Sequence, residues 1–117
     1  MSLKLLIADD EYFIRQRIKK IIPWEKLNLT FAGEAENGQQ VIDHLEKEPV
    51  DLLLLDIKMP QMNGIETARY IKEHFPSVHM LILSGYNDFE YARTVIRYGV
   101  KEYLLKPVAA EELERAL

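Results

Sequence analysis

Four short apolar runs in this chain each break off, at the carboxyl side, into a polar residue of a different chemical kind. Leu5-Leu6-Ile7-Ala8 meets Asp9-Asp10, Leu52-Leu53-Leu54-Leu55 meets Asp56, Met80-Leu81-Ile82-Leu83 meets Ser84, and Tyr103-Leu104-Leu105 meets Lys106-Pro107. Gathered on one rim, three acids, a hydroxyl and an ammonium suit phosphoryl chemistry. Clustered carboxylates repel one another, so either some of them protonate or a hard cation is held among them. At neutral pH the simpler answer is Mg2+, which takes oxygen ligands and keeps several waters. If a phosphate approaches, Lys106 and the metal offset the charge on its oxygens, Ser84 donates a hydrogen bond, and a carboxylate oxygen of Asp56 can attack in line to give an aspartyl phosphate. A carboxylate nucleophile carries no proton, so no strong general base is needed. Singly, an Asp at the end of a strand is more often a turn former, and the reading rests on the convergence of the set.

That convergence requires a parallel sheet, in which all carboxyl ends lie on one rim. The leucine run ending at Asp56 is too short for a helix and right for a strand buried on both faces. A first strand is expected over Leu3–Ala8, followed by a helix near 11–22 with Ile14, Ile18, Ile21 and Ile22 at helical spacing, stopped by Pro23. Residues 24–28 read as a loop and 29–36 as a second strand, whose Gly33 suggests a bulge or an edge position. Asn37 with Gln40 caps a helix carrying Val41, Ile42 and Leu45, which ends before Pro49. After the leucine strand and a turn-rich loop over 57–64, Ile65, Ala68, Ile71 and Phe75 mark a helix running up to Pro76. A strand over 78–83 follows. Asn87 with Glu90 then caps a helix carrying Phe89, Ala92 and Ile96, which Gly99 stops. The fifth strand is expected over Glu102–Leu105, and Leu113, Ala116 and Leu117 begin a last helix that reads as truncated. Strands alternating with helices predict an α/β doubly wound parallel sheet with helices on both faces.

With 117 residues, 48% of them hydrophobic, the chain fits one domain with a respectable core. A net charge of −4 and a pI near 5.4 argue against direct nucleic-acid binding by this segment. The absence of cysteine excludes disulfides and thiolate metal sites and is compatible with the cytoplasm. No apolar run approaches the roughly 20 residues that span a bilayer, so no membrane partner is expected. Arg15, Arg17, Lys19 and Lys20 crowd the first helix, either as a solvated basic face or as a docking surface for an acidic or phosphorylated partner. Ile14 reads two ways, since periodicity assigns it to the core while it also sits in a part of the first helix that could serve partner docking. His44, His74 and His79 read as ordinary surface or boundary residues.

Asp9-Asp10, Asp56 within Leu-Leu-Asp-Ile-Lys-Met-Pro-Gln-Met-Asn-Gly, Ser84-Gly-Tyr and Tyr103-Leu-Leu-Lys106-Pro107 together resemble the receiver domain of two-component response regulators, over essentially the whole chain. The stretch Ser84 to Ala92 and the Pro23-Trp24 pair look like the YesN subgroup, whose full-length members carry an AraC-type helix-turn-helix output domain. The resemblance implies a flavodoxin-like five-stranded sheet of order 2-1-3-4-5. It makes Asp56 the phosphoacceptor, Asp10 a direct Mg2+ ligand, Asp9 a ligand mainly through water and Lys58 a ligand through its backbone carbonyl. Ser84 and Lys106 would hold the phosphoryl group, and Tyr103 would be the switch aromatic. It further implies a sensor histidine kinase as donor and a two-state domain that catalyses its own phosphorylation and dephosphorylation but serves mainly as a signalling switch. Its signal would leave through the face of the last two helices and the strand between them. That leaves homodimerisation on phosphorylation open, and the Lys106-Pro107 bond resembles one commonly cis in the family. Lys58 and Tyr86 are bulkier than in fast-cycling relatives, from which slow self-dephosphorylation is expected. Among rivals, a flavodoxin-like cofactor site lacks its phosphate-cradling loop after the first strand, an aspartate-nucleophile phosphatase would place its nucleophile there, and a pure interaction module would not need the complete set.

Overall fold

In the parallel sheet of this computed structural model, which describes residues 2–85, 97–100, 102–106 and 108–117, β1 (Leu3–Ala8) lies between β2 (Leu29–Ala35) and β3 (Leu52–Asp56). Beyond β3 come β4 (His79–Ser84) and β5 (Glu102–Leu105), giving the order β2-β1-β3-β4-β5 with every pairing parallel. This is the expected flavodoxin-like arrangement.

Alternation along each strand explains why the apolar runs are continuous. Leu5 and Ile7 of β1 and Leu52 and Leu54 of β3 face one side, against Ile18 of α1 (Tyr12–Ile21) and Leu113 and Ala116 of α4 (Ala110–Ala116). Leu6, Ala8, Leu53 and Leu55 face the other side, against Val41, Ile42 and Leu45 of α2 (Gly38–Lys47) and Ala68 and Ile71 of α3 (Gly64–His74). A strand clad on both faces has no polar side to present. Leu53, Leu54 and Leu55 retain no exposed surface, and each contributes roughly 2 kcal/mol by burial.

Both features suggested by Gly33 occur. β2 is an edge strand, and its register against β1 jumps from Leu5↔Phe31 to Leu6↔Gly33, leaving Ala32 as the extra residue of a bulge. The start of α2 follows the expected cap with a variation. Asn37 Oδ1 accepts from the Gln40 amide at 2.8 Å, but the Gln40 side chain reaches one residue further back, to the Glu36 amide at 2.7 Å. α3 carries a full reciprocal capping box between Asn63 and Glu66, a device the sequence reading overlooked although Asn-x-x-Glu is its signature.

Boundaries moved by a residue where a ladder ends. The first helix spans Tyr12–Ile21, with Glu11 and Ile22 as its flanking caps, and β2 stops at Ala35 rather than at Glu36. β4 begins and ends one residue later than expected. Ser84 is therefore its last ladder residue, opposite Leu105, rather than the first loop residue. Gly99 has φ 72°, a left-handed conformation that glycine adopts without strain. The helix expected from Asn87 and Glu90 with Phe89, Ala92 and Ile96, the side chain of Tyr86 and the Lys106-Pro107 bond lie outside the described residues. Among the described residues no helix is long and apolar enough to cross a membrane.

Candidate functional site

The end of β1 is fixed from several directions. The Asp9 amide donates to the Ala35 carbonyl at 3.0 Å, Asp9 Oδ1 accepts from the Glu11 amide at 2.9 Å, and the Asp9 carbonyl accepts from Arg15 Nη1 at 2.7 Å. Asp9 is thereby buried, while Asp10 stands exposed at the rim. Asp56 closes β3 opposite Leu83 and is only 3% exposed. Lys106, just past β5, reaches across the rim with Nζ 2.8 Å from Asp9 Oδ2 and 3.2 Å from Asp56 Oδ2. Oxygens of Asp9, Asp10 and Asp56 lie within 4.8 Å of one another. The strand ends thus bring the acids and the ammonium together.

The electrostatics follow from that crowding. Burial, then repulsion from Asp9, push the Asp56 carboxyl up to about 7 against the pull of Lys106. Burial and Asp9 likewise raise Asp10 above the usual carboxylate range. Burial works against the charge of Lys106, yet hydrogen bonding to Asp9 and attraction to Asp56 outweigh it and hold its ammonium above the ordinary lysine value. A single ammonium faces three carboxylates, so one or two further positive charges would be taken up readily. Asp9 Oδ2 is buried with the Lys106 ammonium 2.8 Å away, and because a carboxylate oxygen can accept twice, it keeps an acceptor to spare. An all-oxygen donor set with spare acceptors fits Mg2+, which is satisfied by a few carboxylates and waters.

Ser84 and Tyr103 meet each other rather than the acids. The fully buried Ser84 hydroxyl is hydrogen-bonded to the Tyr103 hydroxyl and lies 3.1 Å from the Gly85 carbonyl, which accepts from it. Lys58 is exposed and lines a cleft at the rim with Asp10, Met59, Pro60 and Asn63.

The basic cluster of α1 is neither a uniform solvated face nor a single docking patch. Arg15 is 5% exposed and its Nε donates to Glu34 at 2.8 Å, Lys19 Nζ lies 3.5 Å from Glu34, and only Arg17 and Lys20 point outward. Burial alone would raise Glu34, but the Arg15 hydrogen bond and the charges of Lys19 and Arg15 hold its carboxyl below the usual range. Arg15 was missed as a site residue, although its spacing three before Ile18 places it on the inner stripe of α1. It ties the backbone of the acid pair to β2. Replacing it by methionine leaves Glu34 with Gln16 and Lys19 and frees the Asp9 carbonyl, and is expected to cost about 1–2 kcal/mol, discounted for the partial exposure of Glu34. A urea unfolding midpoint equal to that of the unaltered chain would contradict this.

Ile14 is half-buried and lines an apolar cavity with Arg17, Ile18, Leu83 and Val108, so the core assignment holds only in part. His79 is exposed and His74 stacks on Tyr70 with ring centroids 4.0 Å apart, as ordinary surface residues do. His44 packs across the Gly33 bulge.

A doubly wound parallel sheet with an acidic rim bridged by a lysine defines a class of α/β domains whose polar pocket lies at the carboxyl ends of the strands. Within that class, residues 5–117 match the response regulator receiver domain, and the chain belongs to that family. It is 38% identical over 114 residues to the uncharacterized transcriptional regulatory protein YesN of Bacillus subtilis, covering 97% of this chain and 31% of that protein. It is 37% identical over 111 residues to the transcriptional regulatory protein HptR of Staphylococcus aureus, covering 95% of this chain and 43% of that protein. The chain thus spans less than half the length of these curated relatives. Among solved structures, the receiver domain of AraT, a response regulator from Geobacillus stearothermophilus, superposes with TM-score 0.93 at 39% identity, covering 98% of this chain and 89% of that one. A two-component transcriptional regulator AraC from Clostridium phytofermentans superposes with TM-score 0.90 at 34% identity over 99% of this chain and 90% of that one.

Proposed function

We propose that this receiver domain accepts a phosphoryl group on Asp56 from a sensor histidine kinase in a Mg2+-dependent reaction in the cytoplasm, and thereby controls an output domain elsewhere in a longer regulator. The observation that carries the assignment is the Lys106 ammonium bridging Asp9 and Asp56 at 2.8 and 3.2 Å, with Asp10 on the same rim. Asp10 is the direct metal ligand in this reading, Asp9 acts mainly through water because Oδ1 and the backbone are already engaged, and Lys58 contributes its carbonyl. When bound, Mg2+ supplies the positive charge that offsets the carboxylates and the phosphoryl oxygens. Asp56 attacks the phosphorus in line as the P–N bond to the kinase's phosphohistidine breaks and the imidazole leaves, Lys106 holds a phosphoryl oxygen, and Ser84 donates to another once its hydroxyl leaves Tyr103. Tyr103 then gives up its contact with the Ser84 hydroxyl, which couples phosphorylation to the face around β5. A helix-turn-helix output is supported by the resemblance to transcriptional regulators, and homodimerisation on phosphorylation is a further part of the proposal.

Intact mass after incubation with Mg2+ and acetyl phosphate tests the core of this. One phosphoryl adduct, absent under chelation, is expected. A folded, Mg2+-binding chain that gains none would instead be a phosphorylation-independent interaction module. Lys58 overhangs the cleft beside Asp10, so Lys58→Asn is expected to speed loss of the phosphoryl group about threefold or more by admitting water. Decay followed by mass at fixed Mg2+ checks this, and an unchanged half-life would remove Lys58 as the obstruction.

A further inference from the structure

We infer that Gly38 and Met62 form a clamp between α2 and the loop joining β3 to α3, and that both are positioning residues for the metal side of the rim. The inference rests on the assignment of Asp56 and the Lys58 carbonyl made above. Two consecutive residues of this loop that carry side chains, Gln61 and Met62, sit at φ 54° and 102°. Left-handed backbone is sparsely populated for residues with a Cβ and persists only where the surroundings over-determine it.

Those surroundings are visible. The Gly38 amide donates to the Met62 carbonyl at 3.0 Å. A Cβ on Gly38 would lie 2.2 Å from that same carbonyl oxygen, 2.2 Å from Thr67 Oγ1 and 2.8 Å from Met62 Cβ. Thr67 is itself fully buried and fixed, its hydroxyl donating to the Asn63 carbonyl at 2.8 Å. The first residue of α2, the strained end of the loop and the first turn of α3 therefore meet with no space between them. At the other end the Gly64 amide donates to the Ile57 carbonyl at 2.7 Å, and a Cβ on Gly64 would lie 2.5 Å from the Asp56 carbonyl.

The loop that presents Lys58 is thus pinned at 57, 62 and 63 by contacts from two helices. Pinning removes the need to order the loop when a cation arrives, so the benefit is read in affinity. Gly38→Ala must push Met62 and Thr67 aside. Met62→Gly keeps the φ accessible and leaves the Gly38 amide its acceptor, but lets the loop wander.

Calorimetric Mg2+ titration of the unaltered chain, Gly38→Ala and Met62→Gly tests the clamp, alongside amide hydrogen exchange of residues 57–64 and urea unfolding, all without phosphodonor. The expected result is Mg2+ binding about tenfold weaker in Gly38→Ala and severalfold weaker in Met62→Gly, with faster exchange across the loop in both and an unfolding midpoint close to the original in Met62→Gly. Unchanged affinity and exchange in folded Met62→Gly would overturn the clamp, and that variant decides the matter if Gly38→Ala fails to fold. Failure of the unaltered chain to bind Mg2+ would instead overturn the metal assignment and with it the purpose given to the clamp. Faster exchange with unchanged Mg2+ affinity would reduce the contact to a purely structural one and overturn the positioning role.

Discussion

Asp56→Asn chains are expected to take up no phosphoryl group from acetyl phosphate and Mg2+, a loss of at least about a thousandfold in rate. The carboxamide keeps the size and most of the polarity of the side chain but lacks the nucleophilic oxygen anion. None of the neighbouring acids is placed to substitute. Asp9 is buried with Oδ1 committed to the Glu11 amide and Oδ2 against the Lys106 ammonium, and Asp10 stands exposed at the edge of the rim. Ser84 is buried with its hydroxyl donating to the Gly85 carbonyl and bonded to the Tyr103 hydroxyl, so it is not presented as a nucleophile. Intact mass over a time course, with peptide fragmentation to place any adduct, reads the outcome. An adduct of undiminished rate on another residue of Asp56→Asn would falsify the assignment of Asp56 as acceptor.

Why the rim could be foreseen is plain from its construction. Asp9, Asp10, Asp56 and Ser84 each follow an apolar run that suits a strand clad on both faces, Lys106 follows the shorter, partly exposed run of the edge strand β5, and parallel strands bring their carboxyl ends to one edge. One-dimensional pattern therefore contained the three-dimensional convergence. Gly33 was legible for the same reason, because a glycine inside a β pattern has few uses apart from a bulge or an edge.

What escaped depends on contacts between segments far apart in the chain. The partner of Arg15 is Glu34, on a different strand, so charge counting on α1 alone could suggest only a basic face. Gly38 touches Met62 across 24 positions, and nothing local in Asn37-Gly38-Gln39 announces a close approach. The left-handed conformation of Gln61 and Met62 is opposed by their own side chains and exists because tertiary contacts hold it, which propensity cannot anticipate. Ser84 was foreseen as a phosphate ligand from its place after an apolar run. That it lies within the ladder and pairs with Tyr103 follows from the register of β4 with β5, which composition leaves free.

Stability without metal is expected to fall as pH rises from about 5 to about 7, contrary to the usual behaviour of a carboxylate in a folded protein. The folded chain keeps a proton on Asp56 up to about pH 7, whereas the ordinary value of 3.8 governs the unfolded chain. Between these two values the folded state binds more protons, so each step upward in pH favours unfolding, and above about 7 the penalty is complete. The full separation corresponds to about 4 kcal/mol at 1.36 kcal/mol per unit. Relaxation of the rim around the buried acid brings the expected penalty to about 2–3 kcal/mol. The other displaced groups act mainly elsewhere. Glu34, held low by Arg15 and Lys19, contributes stability that is lost only as pH falls below the ordinary 4.5, and Lys106, held high, contributes stability that is lost only as pH rises beyond the ordinary 10.5. Asp10, raised by burial and Asp9, adds a smaller slope of the same sign as Asp56. Urea unfolding in chelator at several pH values, compared with Asp56→Asn, isolates the term because every other titrating group is common to both chains. Asp56→Asn is expected to be more stable than the unaltered chain by about 2–3 kcal/mol at pH 8 and nearly equal to it at about pH 3.5. Mg2+ at saturation should abolish most of that difference by stabilising the ionised acid. A difference that does not grow between pH 5 and 7 would mean that Lys106 alone neutralises Asp56, and that the rim does not require a cation to hold its acceptor in the nucleophilic form.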